Sequence, residues 1–160
     1  MLIIERAAYD AIVAHARRDH PDEACGVIVG PEGSDRPVRV VPMLNAERSP
    51  TYYKFDNDDW KKLYDEMWDN DEEAVVIYHS HTATEAYPSR TDISEARVPD
   101  AHYVLVSTRD GAESLTYDGP VEFRSYRIVD GTVTEEEVKV VTAHTERHSN
   151  ELDSSETGEN

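Results

Sequence analysis

The chain has 160 residues, 38% of them apolar, and its 34 acidic residues against 16 lysines and arginines give a formal charge of -18. This length and composition predict one domain with its own hydrophobic core. The negative charge argues against nucleic-acid and membrane partners, because such a surface repels phosphates and anionic headgroups. The negative charge is compatible with a protein partner that carries a basic patch.

The N-terminal third predicts short elements separated by turn residues. Apolar runs indicate strands, and a stripe formed by Ala8, Ile12 and Ala16 indicates an amphipathic helix that ends at Pro21. The turn over 30–33 favours a hairpin between its two flanking strands. In chain order, we expect a strand over 2–4, a helix over 6–20, and strands over 24–29, 38–43 and 51–55.

A second helix has the clearest periodicity in the chain. Its apolar residues fall at i, i+3, i+4, i+7 and i+8, and residues 56–58 (Asp-Asn-Asp) offer an N-cap. We expect this stripe to be core. Its members are Trp60, Leu63, Tyr64, Met67 and Trp68.

The remaining elements complete a mixed fold. We expect a buried strand over 74–78 that continues to His81, a helical turn over 93–96, a strand over 103–107, and a hairpin over 123–129 and 133–141. Interleaved helices and strands with hairpins predict an α/β or α+β sandwich. Residues 1–142 form the predicted domain. Residues 143–160 have one Leu and many acids, which predicts a disordered acidic tail.

The cysteine content and the N-terminus bear on the cellular compartment. Cys25 is the only cysteine, which excludes an intrachain disulfide and a cysteine-based zinc cluster, and we expect it to be buried and structural. Charge begins at Glu5, too early for a secretory signal, and no apolar run reaches the length of a membrane helix. We therefore expect a soluble cytoplasmic protein whose oligomeric state the sequence leaves open.

Two imidazoles stand two positions apart at the end of the strand over 74–78. His79 and His81 share one face of that strand, so both rings can reach one ion while Ser80 points away. Asp92 arrives from the next turn with an oxygen ligand. Three protein ligands leave one tetrahedral position for water, as in a catalytic rather than a structural zinc site.

Each part of this pattern also has a simpler explanation. A lone H-x-H pair is weak evidence of a metal site, and Ser89 with Asp92 reads as a helix capping box, a role compatible with presenting a ligand. The chain lacks the ligand pattern of binuclear β-lactamases, the P-C-x-x-C of zinc deaminases, and H-E-x-x-H. A mononuclear site further needs a proton shuttle. Glu23, at a helix–strand boundary, is the candidate, although a solvated acid is the favoured explanation when this residue is considered alone.

Residues 21–30 read Pro-Asp-Glu-Ala-Cys-Gly-Val-Ile-Val-Gly, and seven residues separate His79-Ser80-His81 from Ser89, with Asp92 three positions further on. This combination resembles the JAMM (MPN+) metalloprotease motif, and the likeness covers residues 2–141. The resemblance implies a cytidine-deaminase-like sandwich with a curved, mixed sheet and flanking helices. It also implies one Zn²⁺ held by His79, His81 and Asp92, with Glu23 as acid/base and Ser89 as a hydroxyl that stabilises an oxyanion.

The family resemblance also implies a substrate class. Its members cleave bonds after the C-terminal glycine of ubiquitin-like proteins, and residues 78–92 are most similar to a bacterial branch that removes cysteine from a sulfur carrier. We therefore expect a zinc metallopeptidase that hydrolyses the bond after the C-terminal Gly-Gly of a ubiquitin-like sulfur-carrier protein and releases cysteine. Two alternatives stay open: an isopeptidase acting on another ubiquitin-fold adduct, and a non-catalytic MPN scaffold. The identity of the carrier is not defined.

Overall fold

The computed structural model describes residues 1–143 of the chain. Its elements in chain order are β1 (Leu2–Glu5), α1 (Arg6–Asp19), β2 (Cys25–Pro31), β3 (Arg39–Met43), α2 (Asn57–Asp69), β4 (Glu72–His81), α3 (Arg90–Glu95), β5 (His102–Ser107), β6 (Glu122–Val129), β7 (Thr132–Glu136) and β8 (Val138–Val141). Residues 144–160, nearly all of the predicted acidic tail, lie outside the described residues. Within residues 1–143, no helix combines the length and the apolarity needed to cross a membrane.

Six strands form one mixed sheet in the order β3-β2-β4-β5-β6-β7. The central pair β4 and β5 is parallel, and its crossover contains α3, whereas the other neighbouring pairs are antiparallel. This arrangement confirms the predicted mixed α/β fold with flanking helices. It also places β4, which carries the two histidines, between hydrogen-bonded neighbours on both sides, so its backbone is held along most of its length.

The two faces of the sheet are covered by different helices. On one face, the stripe of α1 packs with Ile28, Val76 and Val104. On the other face, Leu63 of α2 packs against β2 and β3. Alternation along β4 therefore directs Tyr78 and Ser80 towards the α1 face and directs His79 and His81 away from it.

Only one row of the predicted α2 stripe is buried, so the expectation that the whole stripe is core was wrong. Leu63 and Met67 face the sheet, whereas Trp60, Tyr64 and Trp68 are 36%, 55% and 77% exposed. The reason is that α2 lies against β2, β3 and β4 with only the row formed by Leu63 and Met67 packed among the side chains of these strands. The predicted N-cap is confirmed, since the Asp56 carboxylate accepts bonds from the amides of residues 58 and 59.

Two strand predictions also need correction. Residues 51–55 form no strand, because the backbone there bonds mainly to the 44–46 segment through the Asn45 side chain and one isolated bridge between Asn45 and Phe55. The predicted return strand over 133–141 divides at Glu137. Its second half, β8, leaves the sheet and pairs in parallel with β1.

Gly26 of β2 lies opposite Tyr78 of β4, and a methyl group at residue 26 would overlap the tyrosine ring. The ring has no room to move, because it is buried and its hydroxyl lies 2.7 Å from Nδ1 of His15.

Gly26→Ala is therefore expected to lower the free energy of unfolding by about 1–3 kcal/mol, the usual cost of overpacking a core. Urea denaturation measures this change, with Glu32→Ala in the exposed turn after β2 as the control. Equal midpoints for the Gly26→Ala variant and the wild type would show that the ring is not fixed.

Candidate active site

His79 and His81 occupy the C-terminal end of β4 and are both buried. Their Nε2 atoms lie 3.3 Å apart, because residues two apart on a strand project from the same face. The ring of His79 also stacks on Tyr53, with centroids 4.4 Å apart and an interplanar angle of 26°. The prediction that both imidazoles converge on one point is confirmed.

Asp92 reaches the same point from the first turn of α3. Its Oδ2 lies 3.1 Å from Nε2 of His79 and 3.0 Å from Nε2 of His81. The predicted capping box orients it: the Ser89 hydroxyl accepts a bond from the Asp92 amide at 3.1 Å, and the Ser89 amide donates to Asp92 Oδ2 at 2.8 Å. One local motif therefore both starts the helix and aims the carboxylate.

The backbone selects the tautomer of His81. Its Nδ1 lies 2.9 Å from the carbonyl oxygen of Glu85 and must donate a proton there. The neutral ring then presents an unprotonated Nε2 to the point shared with His79 and Asp92. This second hydrogen bond on the far side of the ring is the usual way in which a protein orients a ligating histidine.

The pKa values at this point follow from burial and from hydrogen bonds. Burial lowers the pKa of His79, which favours the neutral ring. Burial by itself would raise the pKa of Asp92, but hydrogen bonds with both histidines outweigh burial and hold it well below its usual range. Burial likewise opposes protonation of His81, whereas the bonds to Asp92 and to the Glu85 carbonyl give a net increase in its pKa.

These three ligating atoms fit a tetrahedral divalent cation. Bonds of 2.0–2.1 Å to nitrogen and oxygen place neighbouring ligand atoms of a tetrahedron about 3.3 Å apart. The three separations in this structure are 3.0, 3.1 and 3.3 Å. Two imidazole nitrogens and an ionised carboxylate are also the donor set that zinc accepts in catalytic sites.

Glu23 lies two residues before the start of β2 and is 3% exposed. Its carboxylate lies within 4.8 Å of the ring nitrogens of His79 and His81, a distance that one water molecule can bridge. The pKa of Glu23 is raised to about 8, mainly because the carboxyl is buried; His81 opposes the increase and the negative charge of Asp92 adds to it. A bound cation would favour the ionised carboxylate.

The Glu23 backbone is held by distant parts of the chain. Its amide donates to the Ser49 carbonyl at 2.9 Å, and its carbonyl accepts a bond from Nδ2 of Asn45 at 3.0 Å. The Ser80 hydroxyl accepts a bond from the next amide, that of Ala24, at 2.8 Å. Ser80 therefore points away from the histidines as predicted and fixes the segment that carries Glu23.

A cleft of about 190 Å³ opens beside these groups, lined by Glu23, His81 and Ser89 with residues 50–51 and 82–84. Larger cavities, such as one of about 590 Å³ beside Trp68, contain none of the three histidine and aspartate ligands. We identify the smaller cleft as the site because the convergent polar groups face it.

The structure thus brings together all five residues that the sequence analysis selected. Cys25 is fully buried, and burial raises the pKa of its thiol to about 12, which fits the predicted structural role rather than that of a nucleophile. Sequence reasoning missed Tyr53 and Asn45. Tyr53 stacks on the distant His79, Asn45 bonds to Glu23 across 22 positions, and neither residue belongs to a recognisable motif.

The chain matches the family of prokaryotic homologs of the JAB domain over residues 5–129. It belongs to that family. It is 64% identical over 141 residues to the CysO-cysteine peptidase of Mycobacterium tuberculosis, covering 88% of this chain and 92% of the relative. It is also 30% identical over 126 residues to the desampylase of Haloferax volcanii, covering 76% of this chain and 90% of the relative.

A solved structure shares the fold of this JAB-domain chain. The JAB1/MPN domain protein AF2198 from Archaeoglobus fulgidus aligns over 88% of this chain and 99% of its own, with a TM-score of 0.55 and 17% identity. The predicted family and fold class are therefore confirmed. The peptidase named among the relatives also supports the prediction of a hydrolase.

The raised pKa of Glu23 predicts how the metal-free protein responds to pH. A carboxyl whose pKa is higher in the folded state than in the unfolded state lowers the stability of the fold as pH rises. For Glu23 this loss develops between pH 4.5, the ordinary pKa of a glutamate, and about pH 8, its pKa in the folded state. Glu23→Gln removes this loss.

In the presence of a chelator, Glu23→Gln is therefore expected to raise the melting temperature more at pH 9 than at pH 5. Differential scanning calorimetry measures the two differences, and Glu32→Gln in an exposed turn is the control. A gain that is the same at both pH values would contradict the burial of an ionisable Glu23.

Proposed function

We propose that this JAB-domain protein is a zinc metallopeptidase that hydrolyses the bond after the C-terminal Gly-Gly of a ubiquitin-like sulfur-carrier protein and releases cysteine. One zinc ion per chain would be held by His79, His81 and Asp92. The observation that carries the proposal is the meeting of two Nε2 atoms and one Oδ2 atom within 3.0–3.3 Å, with a buried carboxylate within 4.8 Å of both rings.

When bound, zinc supplies Lewis-acid activation of water and of the scissile carbonyl. Glu23 takes the proton of the attacking water, which its position beside the ligand cluster allows. Ser89 lines the same cleft, and because its oxygen accepts a bond from the Asp92 amide, its hydroxyl hydrogen is available to the developing oxyanion. Glu23 then gives its proton to the departing amine.

The shape of the cleft supports a glycine-rich substrate tail. Its lining includes residues 50–51 and residues 82–84, which are joined where the Thr82 hydroxyl donates to the Pro50 carbonyl at 3.0 Å. A cleft of only about 190 Å³ suits a chain without side chains. The relative named CysO-cysteine peptidase supports cysteine as the departing group.

A second candidate is hydrolysis of an isopeptide bond between a ubiquitin-like protein and a lysine. The relative named desampylase, 30% identical to this chain, favours this reaction. The same groups would act, since only the leaving amine differs. A scaffold without catalysis fits poorly, because the two histidines and Asp92 converge within 3.0–3.3 Å and the buried Glu23 carboxylate lies beside them.

Purified protein is expected to contain about one zinc ion per chain. Asp92→Asn removes the ionised oxygen ligand, so we expect its zinc affinity to fall by more than roughly 100-fold, beyond the usual effect of changing an outer partner of a ligand. Competition with a chromophoric chelator measures the affinity. Asp100→Asn, at an exposed residue outside the site, is the control. Equal affinities for the two variants would remove Asp92 from the ligand set.

The wild type is expected to release cysteine from a sulfur carrier that ends in Gly-Gly-Cys. Glu23→Gln should retain zinc and lose about 10²–10⁴-fold in rate, the usual contribution of a general base. Mass spectrometry follows the carrier, with Glu32→Gln as the control.

A matched carrier joined through Gly-Gly to a lysine side chain distinguishes the two candidate reactions. Faster cleavage of this substrate would select the isopeptidase function. Activity of Glu23→Gln equal to that of the wild type on both substrates would remove Glu23 from the mechanism.

A further inference from the structure

Asn45 lies in the loop between β3 and α2 and is 5% exposed. Its Nδ2 donates to the carbonyls of Glu23 and Tyr52, both at 3.0 Å. Its Oδ1 accepts bonds from the amides of Glu47 at 3.1 Å and Lys54 at 3.2 Å. These four bonds use both donors and both lone pairs of the amide group, so they define its orientation without ambiguity.

Three of these four bonds lie within the loop over residues 44–56. The fourth joins this loop to the carbonyl of Glu23, the proposed general base. The loop in turn contributes three parts of the site. The Ser49 carbonyl accepts a bond from the Glu23 amide, the Tyr53 ring stacks on His79, and residues 50–51 line part of the cleft. Asn45 therefore lies in a loop that contacts Glu23, lines the cleft and packs against His79.

A loop-filling role would need only the bonds within the loop. The bond to the Glu23 carbonyl is different, because it spans 22 positions and acts on the residue whose carboxylate faces the ligands. We propose that Asn45 is a positioning residue that holds the backbone of Glu23 and thereby sets the place of its carboxylate.

The catalytic consequence rests on the proposed peptidase function, whereas the structural consequence does not. Proton transfer requires the base to lie within hydrogen-bond reach of the attacking water, and a displacement of about 1 Å can cost on the order of 100-fold in rate. Asn45 touches neither the substrate cleft nor the three ligands in the contacts described above. Its loss should therefore lower kcat and leave zinc binding intact.

Two variants remove the bond to Glu23 in different ways. Asn45→Ser is neutral and too short to reach the Glu23 carbonyl. Asn45→Asp keeps both acceptors for the amides of Glu47 and Lys54 but has no donor. A positioning effect appears in both variants, whereas an effect of added charge appears only in the aspartate. Asn57→Ser and Asn57→Asp, at an exposed residue of α2, are matched controls.

The first measurement is amide hydrogen exchange, which does not depend on any activity. We expect faster exchange at the Glu23 amide in both Asn45 variants, with unchanged protection in β4 and β5. In Asn45→Asp, the amides of Glu47 and Lys54 should keep their protection. Unchanged exchange at Glu23, or loss of protection across the whole sheet, would overturn the proposal.

The second measurement is steady-state cleavage of the cysteine-extended carrier, with zinc content measured in parallel. We expect kcat to fall by about 100-fold in both variants, with KM within about threefold and zinc still near one per chain. A kcat within threefold of the wild type, or a loss of kcat that follows a loss of zinc, would overturn the positioning role. If the wild type cleaves no adduct, the proposed function fails and hydrogen exchange alone decides whether Asn45 holds Glu23.

Discussion

The close approach of two imidazole nitrogens and one carboxylate oxygen, all within 3.0–3.3 Å, is the constraint on which the site depends. Two imidazole nitrogens and one carboxylate oxygen held this close together are a donor set that fits one divalent cation. The fold supplies the approach from two directions. Alternation along β4 brings the two rings to one face, and the capping box of α3 turns Asp92 towards them.

Charge gives the same conclusion as geometry. Asp92 and Glu23 are two carboxylates in partly or fully buried positions of a chain whose formal charge is already -18. Without a cation, the negative charge of Asp92 raises the pKa of Glu23 and favours its protonated form. A divalent cation held by His79, His81 and Asp92 would offset this negative charge and favour the ionised form of Glu23, the form that a general base requires.

Local patterns in the sequence predicted much of this site, and contacts between distant residues account for the rest. The alternation of His79 and His81 and the spacing of Ser89 and Asp92 are local, so both could be predicted. Residues 51–55 looked like a strand because these residue types favour strands, but the Asn45 side chain binds the Tyr52 carbonyl and the Lys54 amide, and only one isolated bridge forms. The exposure of part of the α2 stripe was not predicted either. Periodicity shows which residues form an apolar stripe, but it does not show how much of that stripe the sheet covers.

We propose that two imidazoles and one carboxylate hold one cation. Zinc-edge X-ray absorption of the purified protein tests it most directly, because the spectrum reports the type, number and distance of ligand atoms. We expect only nitrogen and oxygen neighbours, about four of them at roughly 2.0–2.1 Å, with features of two imidazole rings. A sulfur neighbour near about 2.3 Å, a second metal, or a spectrum without imidazole features would contradict the account.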